Sequence, residues 1–185
     1  MSAVTHIILL NGVGSAGKTS IARALQAITA EPFLYVAMDT FLEMLPERYW
    51  NHSDTFTYRI ESEDGKPSVA IETGPAGERL MRGMRRAIAE LARQGNNLII
   101  DEVMRAGDQA DYEQLLSEFA FFVVGVFAPL DVLEERERRR GDRVIGLARW
   151  QYGRVHASVK YDFQVDTSEL SPMECAIRIK AKFGL

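Results

Sequence analysis

The chain has 185 residues, 46% of them hydrophobic and 26% charged, with a formal net charge of −4. That length supports one sizeable core, and the acidic balance argues against a nucleic-acid-binding surface. A single cysteine, Cys175, excludes an intrachain disulfide framework and fits a reducing cytoplasm, while no apolar run approaches the ~20 residues that span a bilayer and the apolar start at Ile7 lacks a basic leader.

Ile7 to Leu10 is a continuous apolar run, the pattern of a strand buried on both faces of a parallel sheet. It enters Asn11-Gly12-Val13-Gly14-Ser15-Ala16-Gly17-Lys18-Thr19-Ser20, which fits the phosphate-binding pattern G-x-x-x-x-G-K-[ST] and leads into a helix expected over about 18–29. Glycines let the backbone N–H groups approach a triphosphate without a clashing side chain, and the helix aims its unpaired N–H groups at the same phosphates. The nucleotide-binding set is therefore Gly12, Val13, Gly14, Ser15, Ala16, Gly17, Lys18, Thr19 and Ser20. Lys18 would reach the β- and γ-phosphates, and the Thr19 hydroxyl would hold Mg²⁺.

Residues 33–38 read as a second strand ending at Asp39, with a short helix over 40–45. Over 46–77 the character changes. Tyr49, Trp50, Phe56 and Tyr58 cluster there, residues 55–60 alternate, Asp64-Gly65 supplies a turn, and 68–72 can return. This predicts an inserted β-hairpin, which either roofs a substrate pocket or packs its aromatics on the body. A long helix over 74–94, a strand over 97–102, a helix over 109–119 and a strand over 121–128 follow. Pro129 opens a further helix, whose end is the arginine-rich stretch 134–146. A helix over 146–159, a short strand over 163–165 and a terminal helix from Ser171 complete the chain. Strands alternating with helices predict one α/β domain over 1–185, a three-layer P-loop fold whose parallel sheet has helices on both faces.

In such sheets ligands bind beyond the carboxyl ends of the strands, which singles out Asp39 and Asp101. Asp101 closes an apolar strand, the position from which Mg²⁺ is held in P-loop proteins; otherwise it is a helix cap or salt-bridge partner. Glu102 is a weaker candidate for the same metal shell. Asp39 could take the proton of an attacking hydroxyl, or cap the helix beginning at Thr40. Phosphoryl transfer also needs cations over the developing charge, and Arg136, Arg140 and Arg143 are candidates on a mobile lid. The plainer alternative is a solvated face in which Glu134 pairs with Arg138 and Glu135 with Arg139. His6, His52 and His156 read as structural or exposed, and Cys175 as a packed residue of the last helix.

Taken together, these features resemble the chloramphenicol phosphotransferase family of P-loop kinases over nearly the whole chain. The likeness rests on Ile8-Leu9-Leu10-Asn11-Gly12 with Ser15-Ala16-Gly17-Lys18-Thr19, on Met38-Asp39-Thr40, and on Ile99-Ile100-Asp101-Glu102-Val103. It continues through Arg140-Gly141-Asp142-Arg143-Val144, His156 with Tyr161-Asp162, and Val165-Asp166-Thr167. The resemblance implies an ATP-dependent kinase that phosphorylates a hydroxyl of a small molecule, chloramphenicol in the type member. It also implies an adenylate-kinase-like order 2-3-1-4-5 for a five-stranded sheet, and places the family's proton-accepting aspartate on Asp39. The match is poorest over 46–77, the segment most suited to choosing the acceptor.

The expected function is thus ATP- and Mg²⁺-dependent O-phosphorylation of a small hydroxyl-bearing substrate, with neither nucleic acid nor membrane as partner and no oligomeric state specified. A nucleoside or nucleotide kinase shares the same sheet and carboxylate. A nucleotide-binding switch protein is the alternative of another class, and the absence of an Asn-Lys-x-Asp base signature weighs against it.

Overall fold

Runs of β-branched and aliphatic residues with no polar break cannot leave either face in water, so they assemble as inner strands between helical layers. In the computed structural model, which describes residues 4–141 and 144–185, the five strands of the main sheet are β1 (His6–Asn11), β2 (Phe33–Ala37), β5 (Asn97–Glu102), β6 (Ala120–Phe127) and β7 (Phe163–Asp166). All neighbouring pairs are parallel, in the order β2-β5-β1-β6-β7. Counting only these strands, the order is 2-3-1-4-5, as the resemblance implies. β1 is central, with Ile7, Ile8, Leu9 and Leu10 all 0% exposed.

Alternation along β1 divides the core. Ile8 and Leu10 face α1 (Lys18–Ile28), α5 (Leu130–Arg140), α6 (Leu147–Tyr152) and α7 (Pro172–Phe183) through Ile21, Leu25, Leu133, Ala148 and Ile179. Ile7 and Leu9 face α3 (Pro75–Arg93) and α4 (Asp108–Leu115) through Met84, Ile88 and Tyr112. Helices on both faces make the expected three layers. Local chemistry starts these helices where expected: Pro75 opens α3, and Ser171 with Glu174 forms a capping box on α7. Cys175 is buried in the core on α7.

The predicted hairpin is present, and longer than the alternation suggests. β3 (Phe56–Glu63) and β4 (Lys66–Thr73) pair antiparallel, and Asp64 and Gly65 both have positive φ, 51° and 73°, as a two-residue turn matched to strand twist requires. Three helix boundaries differ from expectation, the first being α4, expected over 109–119, which ends at Leu115. The second strand stops at Ala37, and the short helix α2 (Met38–Leu42) begins two residues early, carrying Asp39 into its first turn. The helix expected over 146–159 ends at Tyr152. Beyond it the chain bonds in tighter turns, Arg154 N–H to Gln151 at 2.9 Å and Ala157 N–H to Arg154 at 3.2 Å, and Val155 turns its carbonyl to the Asn11 amide at 3.0 Å. No helix among the described residues is long and apolar enough to cross a membrane.

Candidate active site

The loop between β1 and α1 is shaped by two glycines. At Gly12 a Cβ would lie 2.5 Å from the Val126 carbonyl oxygen of β6, so a side chain there would push the loop off the sheet. Gly17, at φ +91°, precedes Lys18 as the helix N-cap and can satisfy none of the first-turn N–H groups with a side chain. Those groups and the positive end of the helix form a ready anion site. Distant side chains brace the loop. The Gly14 N–H donates to Gln151 Oε1 at 2.7 Å, and the Thr167 hydroxyl donates to the Ala16 carbonyl at 2.9 Å. Lys18 is buried, its Nζ donating to the Gly12 and Val13 carbonyls at 2.8 and 3.1 Å and lying 3.6 Å from Asp101 Oδ1.

Asp101 sits at the end of β5, as the strand pattern suggests. Its Oδ2 accepts from the Thr19 hydroxyl at 2.8 Å and from the Tyr35 hydroxyl at 2.8 Å. Two hard oxygen groups, Thr19 and Asp101, are thereby held side by side next to the phosphate loop. Mg²⁺ carried by nucleotide phosphates usually takes only one or two protein oxygens, so this donor set fits it. No cluster of three acidic, histidine or cysteine ligands occurs among the described residues. Glu102 is a correction. It points to the other side of the strand, is fully buried, and accepts from Tyr112 OH at 2.6 Å, so it cannot share the metal shell. Burial, opposed by the Tyr112 bond, pushes its carboxyl up to about 7.

Asp39 does not cap α2, because Ala37 occupies the N-cap position. Instead it lines a cleft of about 910 Å³ together with the phosphate loop, Lys18, Thr19 and Asp101. A second cavity of about 380 Å³ adjoins it and shares Asp39, Phe56, Tyr58 and Arg140.

Arg136 and Arg140 also line the large cleft, and Arg139 does so from the same helix. Arg136 is held by Thr167, whose hydroxyl and carbonyl accept from its two terminal nitrogens at 2.8 and 2.7 Å. Arg143 lies outside the described residues. The plainer expectation holds for Glu135, which pairs with Arg138 and with Arg139, the latter at 2.7 Å. Glu134 does not pair with Arg138; it turns inward to Arg149 and lies 3.7 Å from Lys66 of β4.

The residues that brace the loop carry no local sequence pattern. Thr167 ties the Ala16 carbonyl to Arg136, and Gln151 reaches the loop from α6. A further network lies beneath. The buried Asn11 amide donates to Tyr161 OH at 2.7 Å, its oxygen accepts from Met104 N–H at 2.9 Å, and Tyr161 OH meets His156 Nδ1 at 2.6 Å. Burial, with the Lys18 charge adding, pushes His156 down to about 4, so the imidazole is neutral at pH 7. His156 is thus packed within this network, against Phe127 and Tyr161. The one available signal was that Asn11, Tyr161 and Thr167 fall within the segments that carried the family resemblance.

On the far side of the cleft the hairpin presents Phe56, Tyr58 and Ile71, joined by Met81 and Met104. Arg105 lines this half too, but Glu78 holds it through contacts of 2.6 and 3.2 Å. The hairpin is fastened to the arginine-bearing helix: Val69 N–H donates to the Gly146 carbonyl at 3.0 Å, while the buried Glu137 carboxylate of α5 accepts from Gly146 N–H and Ala148 N–H, both at 2.8 Å.

A parallel sheet of this order, with a glycine-shaped phosphate loop after its central strand and two carboxylates on the adjoining cleft, defines a phosphotransferase of the P-loop kinase class. The chain belongs to the chloramphenicol phosphotransferase-like family, whose sequence model matches residues 5–184. A Mycobacterium tuberculosis protein of strain H37Rv, named "Putative O-phosphotransferase Rv2636", is 32% identical over 176 residues, covering 92% of this chain and 78% of the relative. Among solved structures, a sugar kinase from Janibacter sp. HTCC2649 matches with a TM-score of 0.68 at 17% identity, covering 97% of this chain and 95% of that one. The Mycobacterium tuberculosis APS kinase CysC, in complex with AMPPNP and APS, matches with a TM-score of 0.67 at 15% identity, covering 98% and 99%. A gluconokinase from Sinorhizobium meliloti 1021 matches with a TM-score of 0.64 at 15% identity, covering 100% and 94%. At these identities the structural likenesses speak for the fold alone.

Proposed function

We propose that this protein transfers the γ-phosphoryl group of ATP to a hydroxyl of a small, largely uncharged molecule. The observation that carries the reading is the shared cleft: the phosphate loop, Asp101 and Asp39 line it together with apolar side chains of the hairpin. The loop from Gly12 to Ser20 binds the phosphates through backbone N–H groups, with Lys18 on the β- and γ-phosphates. Mg²⁺ at Thr19 and Asp101 would neutralise phosphate charge during transfer. The acceptor oxygen bonds to the γ-phosphorus in line as the bond from that phosphorus to the ADP bridging oxygen breaks. The hydroxyl proton passes to the Asp39 carboxylate. Arg136, Arg140 and, on sequence alone, Arg143 form a lid whose charge offsets that of the transferring group.

Leu42, Phe56, Tyr58, Ile71 and Met104 favour an acceptor with apolar surface over a nucleotide, and the Arg105 charge is already answered by Glu78. An antibiotic alcohol is one such acceptor. The deciding experiment measures ADP release from ATP and Mg²⁺ across hydroxyl-bearing antibiotics (chloramphenicol among them), nucleosides and sugars. Stimulation by an uncharged alcohol, with a phosphorylated product by mass spectrometry, is the expected result. Steady basal hydrolysis that no acceptor changes would overturn the reading in favour of a switch protein. Inhibition by a dinucleotide polyphosphate bisubstrate would point to a nucleotide kinase.

A further inference from the structure

Asp101 is held by more than the phosphate loop. Tyr35, on the edge strand β2, sends its hydroxyl across to Asp101 Oδ2 at 2.8 Å and lies 3.3 Å from the Thr19 hydroxyl oxygen. The register explains the reach: Ala37 stands opposite Asp101, and Tyr35, two residues earlier on the same face, stands opposite Ile99. Its ring is fixed from the other side by the Arg23 guanidinium, 4.4 Å from the ring centroid. Arg23 is itself held by Gln26 at 2.9 Å, and Gln26 bonds the Phe33 carbonyl of β2 at 2.7 Å. A chain of contacts therefore runs from the first turns of α1, through β2, to the carboxylate beside the phosphate loop.

A carboxylate oxygen that accepts two hydrogen bonds has a fixed rotamer. With Thr19 and Tyr35 both donating to Oδ2, Oδ1 is turned toward Lys18, at 3.6 Å. Both Oδ2 donors spend their protons on the carboxylate, which leaves the Thr19 oxygen with lone pairs for a cation. A tyrosine that only filled space would not need its hydroxyl at this spot.

We propose that Tyr35 is a positioning residue for the metal–nucleotide site, setting the orientation of Asp101 and, through it, of Thr19. The proposal rests on the reading of Thr19 and Asp101 as the Mg²⁺-holding pair. Tyr35 touches neither substrate nor metal in this role. Its effect is therefore confined to the part of nucleotide binding that the metal contributes.

The test is Tyr35→Phe, which keeps the ring and its contact with Arg23 and removes only the hydroxyl. Calorimetric titration with ADP, once in EDTA and once with excess MgCl₂, separates metal-free from metal-dependent binding. In Tyr35→Phe the metal-free ADP affinity should match that of the unmodified protein, which also reports a correctly folded loop. The gain in affinity on adding Mg²⁺ should be smaller by roughly 3- to 10-fold, the scale of one ordinary hydrogen bond, because Tyr35 reaches the metal only through Asp101. An equal Mg²⁺ gain in both proteins would overturn the proposal. So would a loss of the same size with and without metal, which would make Tyr35 a packing residue of the pocket. If the unmodified protein binds ADP with no Mg²⁺ gain at all, the metal-site reading falls first, and this one with it.

Discussion

On the phosphate side of the cleft, Gln151, Thr167 and Asp101, from three separate parts of the chain, hydrogen-bond to the loop between Gly12 and Ser20. On the acceptor side, a two-stranded hairpin offers Phe56, Tyr58 and Ile71 as surface, and is tied to α6 by the bond from Val69 N–H to Gly146 O. In the proposed reaction one half would recognise through backbone geometry that every nucleoside triphosphate shares, and the other through side-chain shape, which only its own acceptor needs to match. Two kinds of specificity thus sit at the two ends of one cleft, and substitutions in each half should fail in different ways.

The largest effect is expected at Lys18. Lys18→Ala removes the buried cation beside the loop and Asp101, and should lower turnover by at least about 1000-fold with every acceptor, since phosphoryl transfer depends on such charge. Acceptor-stimulated ADP release above about a tenth of normal would remove Lys18 from the reaction. Asp39→Asn acts at the junction of the two halves. It should cost roughly 100-fold or more in transfer, the range for losing a positioned base, while ADP affinity by calorimetry stays unchanged. Full activity in that variant would leave Asp39 as a structural residue of α2.

The same strand end holds a second carboxylate with a different fate, and it sharpens the contrast between a site group and a frame group. Glu102 lies beside Asp101 in sequence but is buried against Tyr112, with Arg85 and Asp108 nearby. Its carboxyl ionises near 4.5 when the chain is unfolded and near 7 when folded. The folded state therefore binds the proton more tightly, and this group's contribution to stability declines as pH rises from about 4.5 to about 7. Glu102→Gln has no such slope. Its stability relative to the unmodified protein should rise by roughly 1–3 kcal/mol between pH 5 and pH 8 and then level off, as read from urea unfolding at several pH values. A difference that is constant over that range would show that Glu102 does not titrate there.

How much of this was legible in the sequence follows the same division. The loop, Asp101 and the sheet could be read because each rests on a local requirement: glycine where the backbone must approach, apolar runs where both faces are covered, a carboxylate where a strand ends; Asp39, expected at a strand end, sits instead in the first turn of α2. The hairpin could be read from Asp64-Gly65. The braces could not. Thr167 and Gln151 lie 151 and 137 residues from the loop atoms they bond, and nothing local marks a threonine or glutamine for such a contact. Glu102 misled because a carboxylate next to a metal candidate looks alike on either face of the strand. The early end of α6 was hidden for a related reason, since Val155 gives its carbonyl to Asn11 across the fold.

The smallest predicted effect bears most directly on the acceptor. Phe56 lines both the main cleft and the adjoining cavity, and Asp39 lines both as well. Phe56→Ala removes apolar contact surface without touching any group placed in the phosphoryl chemistry. With an acceptor that stimulates ADP release, its KM should rise about 10-fold, the scale for losing part of an apolar pocket, and the KM for ATP should stay within about twofold. A matched rise in both values would mean that the hairpin holds the whole cleft together and does not select the acceptor. A rise for the acceptor alone assigns the selectivity to β3 and β4, because the donor half would then be working with its backbone frame intact.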